Sequence, residues 1–156
     1  MNWDAIGSAS ELVGALSTIV ALIYLGVQIR HNTRSTRASS YQAAMTSIAE
    51  WTRTIGSNPE LAMLFFRGAR NSESLSEPER VQFGYLLLSL ARNFENLFFQ
   101  YRNGTLDEAH WRPWASRIER TFATAGTHNW WVEQAPAFSD AFRTFVEEIG
   151  STHCSR

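Results

Sequence analysis

Hydrophobic and polar positions along this chain fall into two regimes. From Leu12 to Ile29 there is no charged residue, and Arg30, Arg34 and Arg37 follow directly. Beyond them apolar residues recur every three or four positions, the period of an amphipathic α-helix. The first regime is about 18 residues long, which at 1.5 Å per residue covers roughly 27 Å, close to the hydrocarbon thickness of a bilayer. The preceding segment carries Asp4 and Glu11 but no basic residue, and no small-residue cleavage site follows, so the run does not read as a signal peptide. It predicts a retained transmembrane helix. The arginines after it place that end in the cytoplasm and leave a short external N-terminus, with Trp3 at the outer interface and Glu11 at the edge of the span. A long buried helix in a soluble bundle is the alternative, which Ser17, Thr18 and Tyr24 keep open.

The second regime predicts helices with recognisable ends. Tyr41, Met45, Ile48 and Ile55 continue the first helix until Gly56. Asn58 and Pro59 cap and open a short second helix with Leu61, Leu64 and Phe65. Ser76 and Glu79 form a capping box before a long third helix, whose face is Phe83, Leu86, Leu87, Leu90, Phe94, Leu97, Phe98 and Tyr101, stopped at Gly104. Thr105 and Glu108 read as a second capping box, opening a helix with Trp111, Trp114, Ile118 and Phe122 that ends near Gly126. A last helix from about Pro136 to Ile149 shows Phe138, Phe142, Phe145 and Ile149. The expected fold is all-α: an N-terminal transmembrane helix continuing into a cytoplasmic bundle of four to five helices with an aromatic core. The expected division is 1–33 for the anchor and its flanks, 34–150 for the bundle and 151–156 for a flexible tail.

Small residues within the anchor fall in register. Gly7, Ser10, Gly14, Ser17 and Ala21 alternate steps of three and four, which keeps them on one side of a helix. Small side chains let two membrane helices approach closely, so this stripe predicts a packing seam for a second copy or another membrane protein.

Composition narrows the function. A net charge of −1, with no basic patch interleaved with aromatics, argues against nucleic acid. The single cysteine, Cys154, can form no internal disulfide, which suits a cytoplasmic domain. Asp107 and His110 stand three apart on a helix, but a helical di-metal site needs that pair twice with further carboxylates, so no metal site is expected. His153 and Cys154 make a poor ligand pair near the end of the chain. No glycine-rich phosphate loop, no Gly-x-Ser-x-Gly and no His-Glu-x-x-His is present, so no catalytic residue and no cofactor is expected. Arg92, Asn93, Glu95, Asn96 and Gln100 interrupt the apolar third helix as a candidate polar face for a small ligand, or as an ordinary solvated or hydrogen-bonded side. His128, Asn129, Trp130 and Trp131 form an aromatic cluster in a loop or short helix.

Trp3 to Gly7, Glu11 to Gly14 and Ile23 to Thr33, with Asn58 to Leu61, Phe94 to Tyr101 and Gly104 to Trp111, resemble the motifs of a family of short uncharacterised bacterial single-pass membrane proteins. The resemblance covers most of the chain. It implies a bacterial source and an anchored helical protein, and it transfers no catalytic or binding residue. The expected role is a non-enzymatic accessory or scaffold subunit in the bacterial inner membrane, with the lipid bilayer and a second copy or another membrane protein as partners. A membrane-tethered module that binds or senses a small ligand is the alternative.

Overall fold

The computed structural model describes the backbone of residues 3–153 and the side chains of residues 17–150. Among the described residues six α-helices follow one another: α1 (Trp3–Gly56), α2 (Pro59–Arg70), α3 (Glu77–Arg102), α4 (Glu108–Phe122), α5 (Ala125–Gln134) and α6 (Asp140–His153). Single 3₁₀ turns occupy Ser72–Ser74 and Ala135–Ala137, and no strand occurs among the described residues. The all-α expectation is met. Five helices follow α1, and of the two readings of His128 to Trp131, a loop or a short helix, the helix is the one that forms, as part of α5.

The chain divides into two compact units, Met1–Ser39 and Ser40–Arg156, a boundary slightly later than the expected one at residue 33. In the first unit the described side chains of the charge-free run are open on every side. Ile19, Val20, Leu22, Ile23, Tyr24, Leu25, Val27 and Ile29 are each more than half exposed, at 53–64%. Among the described residues, however, no helix is long and apolar enough to cross a membrane. The described part of the charge-free run, residues 17–29, covers roughly 20 Å against the ~30 Å hydrocarbon core. Leu12 to Leu16, and Trp3 and Glu11, lie outside the residues whose side chains are described.

The second unit is built around α3, whose expected apolar stripe is buried except at Leu86 and Tyr101, which are half-buried. Phe83, Leu87, Ala91, Phe94 and Leu97 are all within 1% of complete burial. Each of the Phe and Leu side chains contributes about 1.5–3 kcal/mol by leaving water, which is what overrides the polar residues interspersed on the same helix. Around α3 the other helices contribute Ala44, Leu64, Trp111, Ile118, Phe122, Trp131, Phe142 and Val146. Aromatic rings meet in a continuous chain: Phe98 lies 5.6 Å from Phe142 and 5.9 Å from Trp111, and Trp131 lies 4.8 Å from Phe122 and 5.0 Å from Phe138. The C-terminal part of α1 docks on this core through Ala44, half-buried Tyr41, Met45 and Ile48, and Trp51, whose indole Nε1 donates to the Leu86 carbonyl at 3.0 Å.

Most helix ends form as their sequences dictate. Asn58 Oδ1 accepts from the N–H groups of Glu60 (3.0 Å) and Leu61 (3.1 Å), with Pro59 at the first helical position. The Ser76–Glu79 capping box forms, the Ser76 N–H donating to Glu79 at 2.9 Å. Gly104 ends the turn after α3 at φ 68°, a conformation that suits a residue without Cβ.

The start of α4 corrects the expectation. Asp107 is its N-cap, accepting from the His110 N–H at 2.9 Å, and the Thr105–Glu108 box does not form. The competing interactions are visible. The Thr105 and Leu106 N–H groups donate to the Gln100 carbonyl, while Glu108 accepts the Tyr101 hydroxyl at 2.7 Å. Helix α4 stops at Phe122, ahead of Gly126, and α6 starts at Asp140, because Pro136 belongs to the preceding 3₁₀ turn. Helix α6 continues to His153, beyond the expected end of the bundle at residue 150.

Candidate functional site

The candidate polar face of α3 is engaged within the fold. Arg92 Nη1 donates to Glu95 at 2.7 Å, its Nη2 donates to the Ala137 carbonyl at 2.9 Å, and its guanidinium lies 4.3 Å over the Phe138 ring. Glu95 in turn accepts the Ser139 N–H at 2.8 Å, just ahead of α6. Burial pushes the Glu95 carboxyl upward, but donation from Ser139 and Arg92 outweighs it and holds the group below its ordinary value. The pair therefore acts as a clasp between α3 and the start of α6.

The remaining members of that face separate. Asn93 Nδ2 bonds back to the Ser89 carbonyl at 3.1 Å. Gln100 is buried, its Nε2 reaching the Ser40 carbonyl at 3.3 Å and Asn96 Oδ1 at 3.4 Å. Its Oε1 has no partner among the described residues. Beside Arg92 and Asn93 an open groove of about 990 Å³ runs between α1 and α3, past Trp51, Tyr85 and Ser89.

Asp107 and His110 come together in the role of a helix cap. Asp107 Oδ1 contacts His110 Nδ1 at 2.7 Å as well as its N–H, and these contacts, the backbone one foremost, lower the Asp107 carboxyl below its ordinary value. The His110 ring stands edge-on to Tyr41 at 5.5 Å. Among the described residues no group of three or more His, Cys, Asp or Glu side chains could hold a metal ion. His153 and Cys154 lie outside the described side chains.

Of the small-residue seam, Ser17 and Ala21 are on the described surface of α1, where both are exposed, and Gly7, Ser10 and Gly14 lie outside the described side chains. Arg30, Arg34 and Arg37 are exposed on the same helix, beside His31. Within the run before them, Gln28 Nε2 donates to the Tyr24 hydroxyl at 2.9 Å, one helical turn apart.

A feature that periodicity did not single out lies among α1, α3 and α4. A cleft of about 300 Å³ is walled by Trp51, Leu90, Phe94 and Trp114, with Arg117 and Arg120 at its rim. Arg120 Nε donates to the Ser116 carbonyl at 3.2 Å, and no carboxylate pairs with either arginine among the described residues. Trp114, expected in the core, is only half-buried. The pattern gave no sign of the cleft, because its apolar walls read as core positions and its arginines as a solvated face.

No family model matches the chain, and no curated protein or solved structure is similar enough to it to place it in a family.

Proposed function

We propose that this chain is a membrane-anchored accessory or scaffold protein of the bacterial inner membrane. The N-terminal part of α1 is its anchor, and the bundle is its cytoplasmic domain. One observation carries the reading: the charge-free run from Leu12 to Ile29, whose described portion presents large apolar side chains on all sides of the helix. A helix that is apolar all round needs an apolar surrounding, whereas a surface helix of a bundle needs only one apolar stripe. Arg30, Arg34 and Arg37 follow at the end that would meet the cytoplasmic headgroups.

The seam of Gly7, Ser10, Gly14, Ser17 and Ala21 supplies the scaffold function, because small residues in one register are the means by which membrane helices associate. Crosslinking the full chain in mild detergent tests it. The reading expects a discrete oligomer or a co-purifying membrane partner that is lost on Gly14→Leu. A monomer with no partner, unchanged by Gly14→Leu, would contradict it.

A further inference from the structure

The cleft among α1, α3 and α4 carries an inference that stands apart from how the chain is anchored. Its walls and its rim are chemically distinct. Trp51, Leu90, Phe94 and Trp114 line it with apolar, largely aromatic side chains. Trp114 makes no ring contact with another aromatic among the described residues, whereas Trp51, Trp111, Trp130 and Trp131 all do. At the rim, Arg117 and Arg120 are neighbours on one helix face and have no carboxylate partner among the described residues. Arg67, Arg92 and Arg143 by contrast pair with Glu79, Glu95 and Asp140, while Arg70 and Arg102 lie over the Phe66 and Phe98 rings and Arg80 donates to the Leu75 carbonyl.

An aromatic lining shared with two arginines that no carboxylate neutralises among the described residues is complementary to a flat apolar body carrying an anionic end. Arginine forks match a carboxylate with two parallel hydrogen bonds, and they also stack on rings. The volume of about 300 Å³ lies at the lower end of the roughly 300–1,000 Å³ typical of ligand pockets, so the occupant is small. The larger groove beside Arg92 lacks this complementarity, since its arginine is already held by Glu95 and the Ala137 carbonyl. We propose that the cleft is a binding site for a small aromatic carboxylate, its ring against Trp114 and Trp51 and its carboxylate held by Arg117 and Arg120.

The test is a titration of the full chain in detergent with 2-naphthoate, followed by calorimetry and by the indole N–H resonances of Trp51 and Trp114. Saturable one-to-one binding is expected, with both resonances shifted. The double variant Arg117→Gln/Arg120→Gln is expected to weaken binding by tenfold or more, and Arg112→Gln, which alters an arginine outside the cleft, is expected to leave it unchanged. The uncharged 2-naphthalenemethanol and the flexible decanoate are each expected to bind several-fold more weakly. Absence of saturable binding, equal binding by the double variant, or equal binding of the alcohol would overturn the site. Equal binding of decanoate would overturn its aromatic preference. Native circular dichroism of the double variant separates loss of the site from loss of the fold.

Discussion

A Cβ placed on Gly126 would collide with the carbonyl oxygen of Gly68, and it would stand 3.0 Å from the Ser72 N–H nitrogen. Helices α2 and α5 therefore cross backbone to backbone at a pair of glycines. Gly68 is constrained from its other side as well, since a Cβ there would meet the Phe83 ring at 2.6 Å. Next to the crossing, the buried Thr127 hydroxyl contacts the Thr124 hydroxyl at 2.7 Å, and its oxygen also reaches the carbonyls of Thr121 and Thr124. The corner between α4 and α5 is thus satisfied internally.

Gly126→Ala is expected to destabilise the bundle by about 3 kcal/mol or more, because the atoms it strikes are backbone and cannot rotate away. Gly84→Ala serves as the contrast. Its Cβ would meet the Trp130 indole at 3.5 Å (Nε1) and 3.9 Å (Cδ1), ordinary contacts, so removing a mid-helix glycine is expected to stabilise by about 0.5–1 kcal/mol. Urea unfolding followed by circular dichroism measures both.

Much of the bundle was legible because its helices carry strong end signals. Asn58 with Pro59, and Ser76 with Glu79, cap where their residue types dictate, and the α3 stripe from Phe83 to Phe98 is buried as its spacing implies except at half-buried Leu86. The misreadings arose where two local signals compete. Thr105 and Asp107 can each cap α4, and the pull of the Gln100 carbonyl on the Thr105 N–H decides for Asp107. Gly126 resembles a helix stop in sequence, but its role is close helix packing, which depends on a distant residue. The candidate site was less legible still. The clasp formed by Arg92 and Glu95 depends on Ala137 and Ser139, more than forty positions away, and no periodicity reports that contact.

Glu95→Ala removes the acceptor for the Ser139 N–H and the partner of Arg92. Loss of a capping acceptor at a helix start costs about 1 kcal/mol, and Glu95→Gln, which keeps an acceptor oxygen, is expected to recover part of it. Amide hydrogen exchange gives the more specific readout. Protection is expected to fall first in the opening turn of α6.

Acid is expected to weaken the junction of α2 with α3. Hydrogen bonds from the Ser76 hydroxyl and N–H, followed by Arg67, hold the Glu79 carboxyl at about 2 against an ordinary value of 4.5. A carboxylate whose value is depressed by folding contributes stability that is fully present above 4.5 and is lost as pH falls toward 2. The difference in unfolding midpoint between the wild-type chain and Glu79→Gln should therefore be constant above pH 4.5 and shrink below it. A gap that is unchanged down to pH 2.5 would refute the assignment.

Trp51→Phe keeps the ring contact with Phe65, at 5.2 Å, but deletes the donor to the Leu86 carbonyl. A cost of about 1 kcal/mol is expected, that of one partly buried hydrogen bond. Limited proteolysis should then cut earlier between Ser40 and Gly56, where α1 docks on the core.

The claim that the run from Leu12 to Ile29 lies in a bilayer is tested most directly by alkaline carbonate extraction of membranes from bacteria expressing the full chain, with flotation of the pellet through a density gradient. The anchored reading predicts that the wild-type protein stays with the floated lipid and that Ile19→Lys/Ile23→Lys, which adds two charges to the run, releases it. Recovery of the wild-type protein in the carbonate supernatant without detergent would contradict the account.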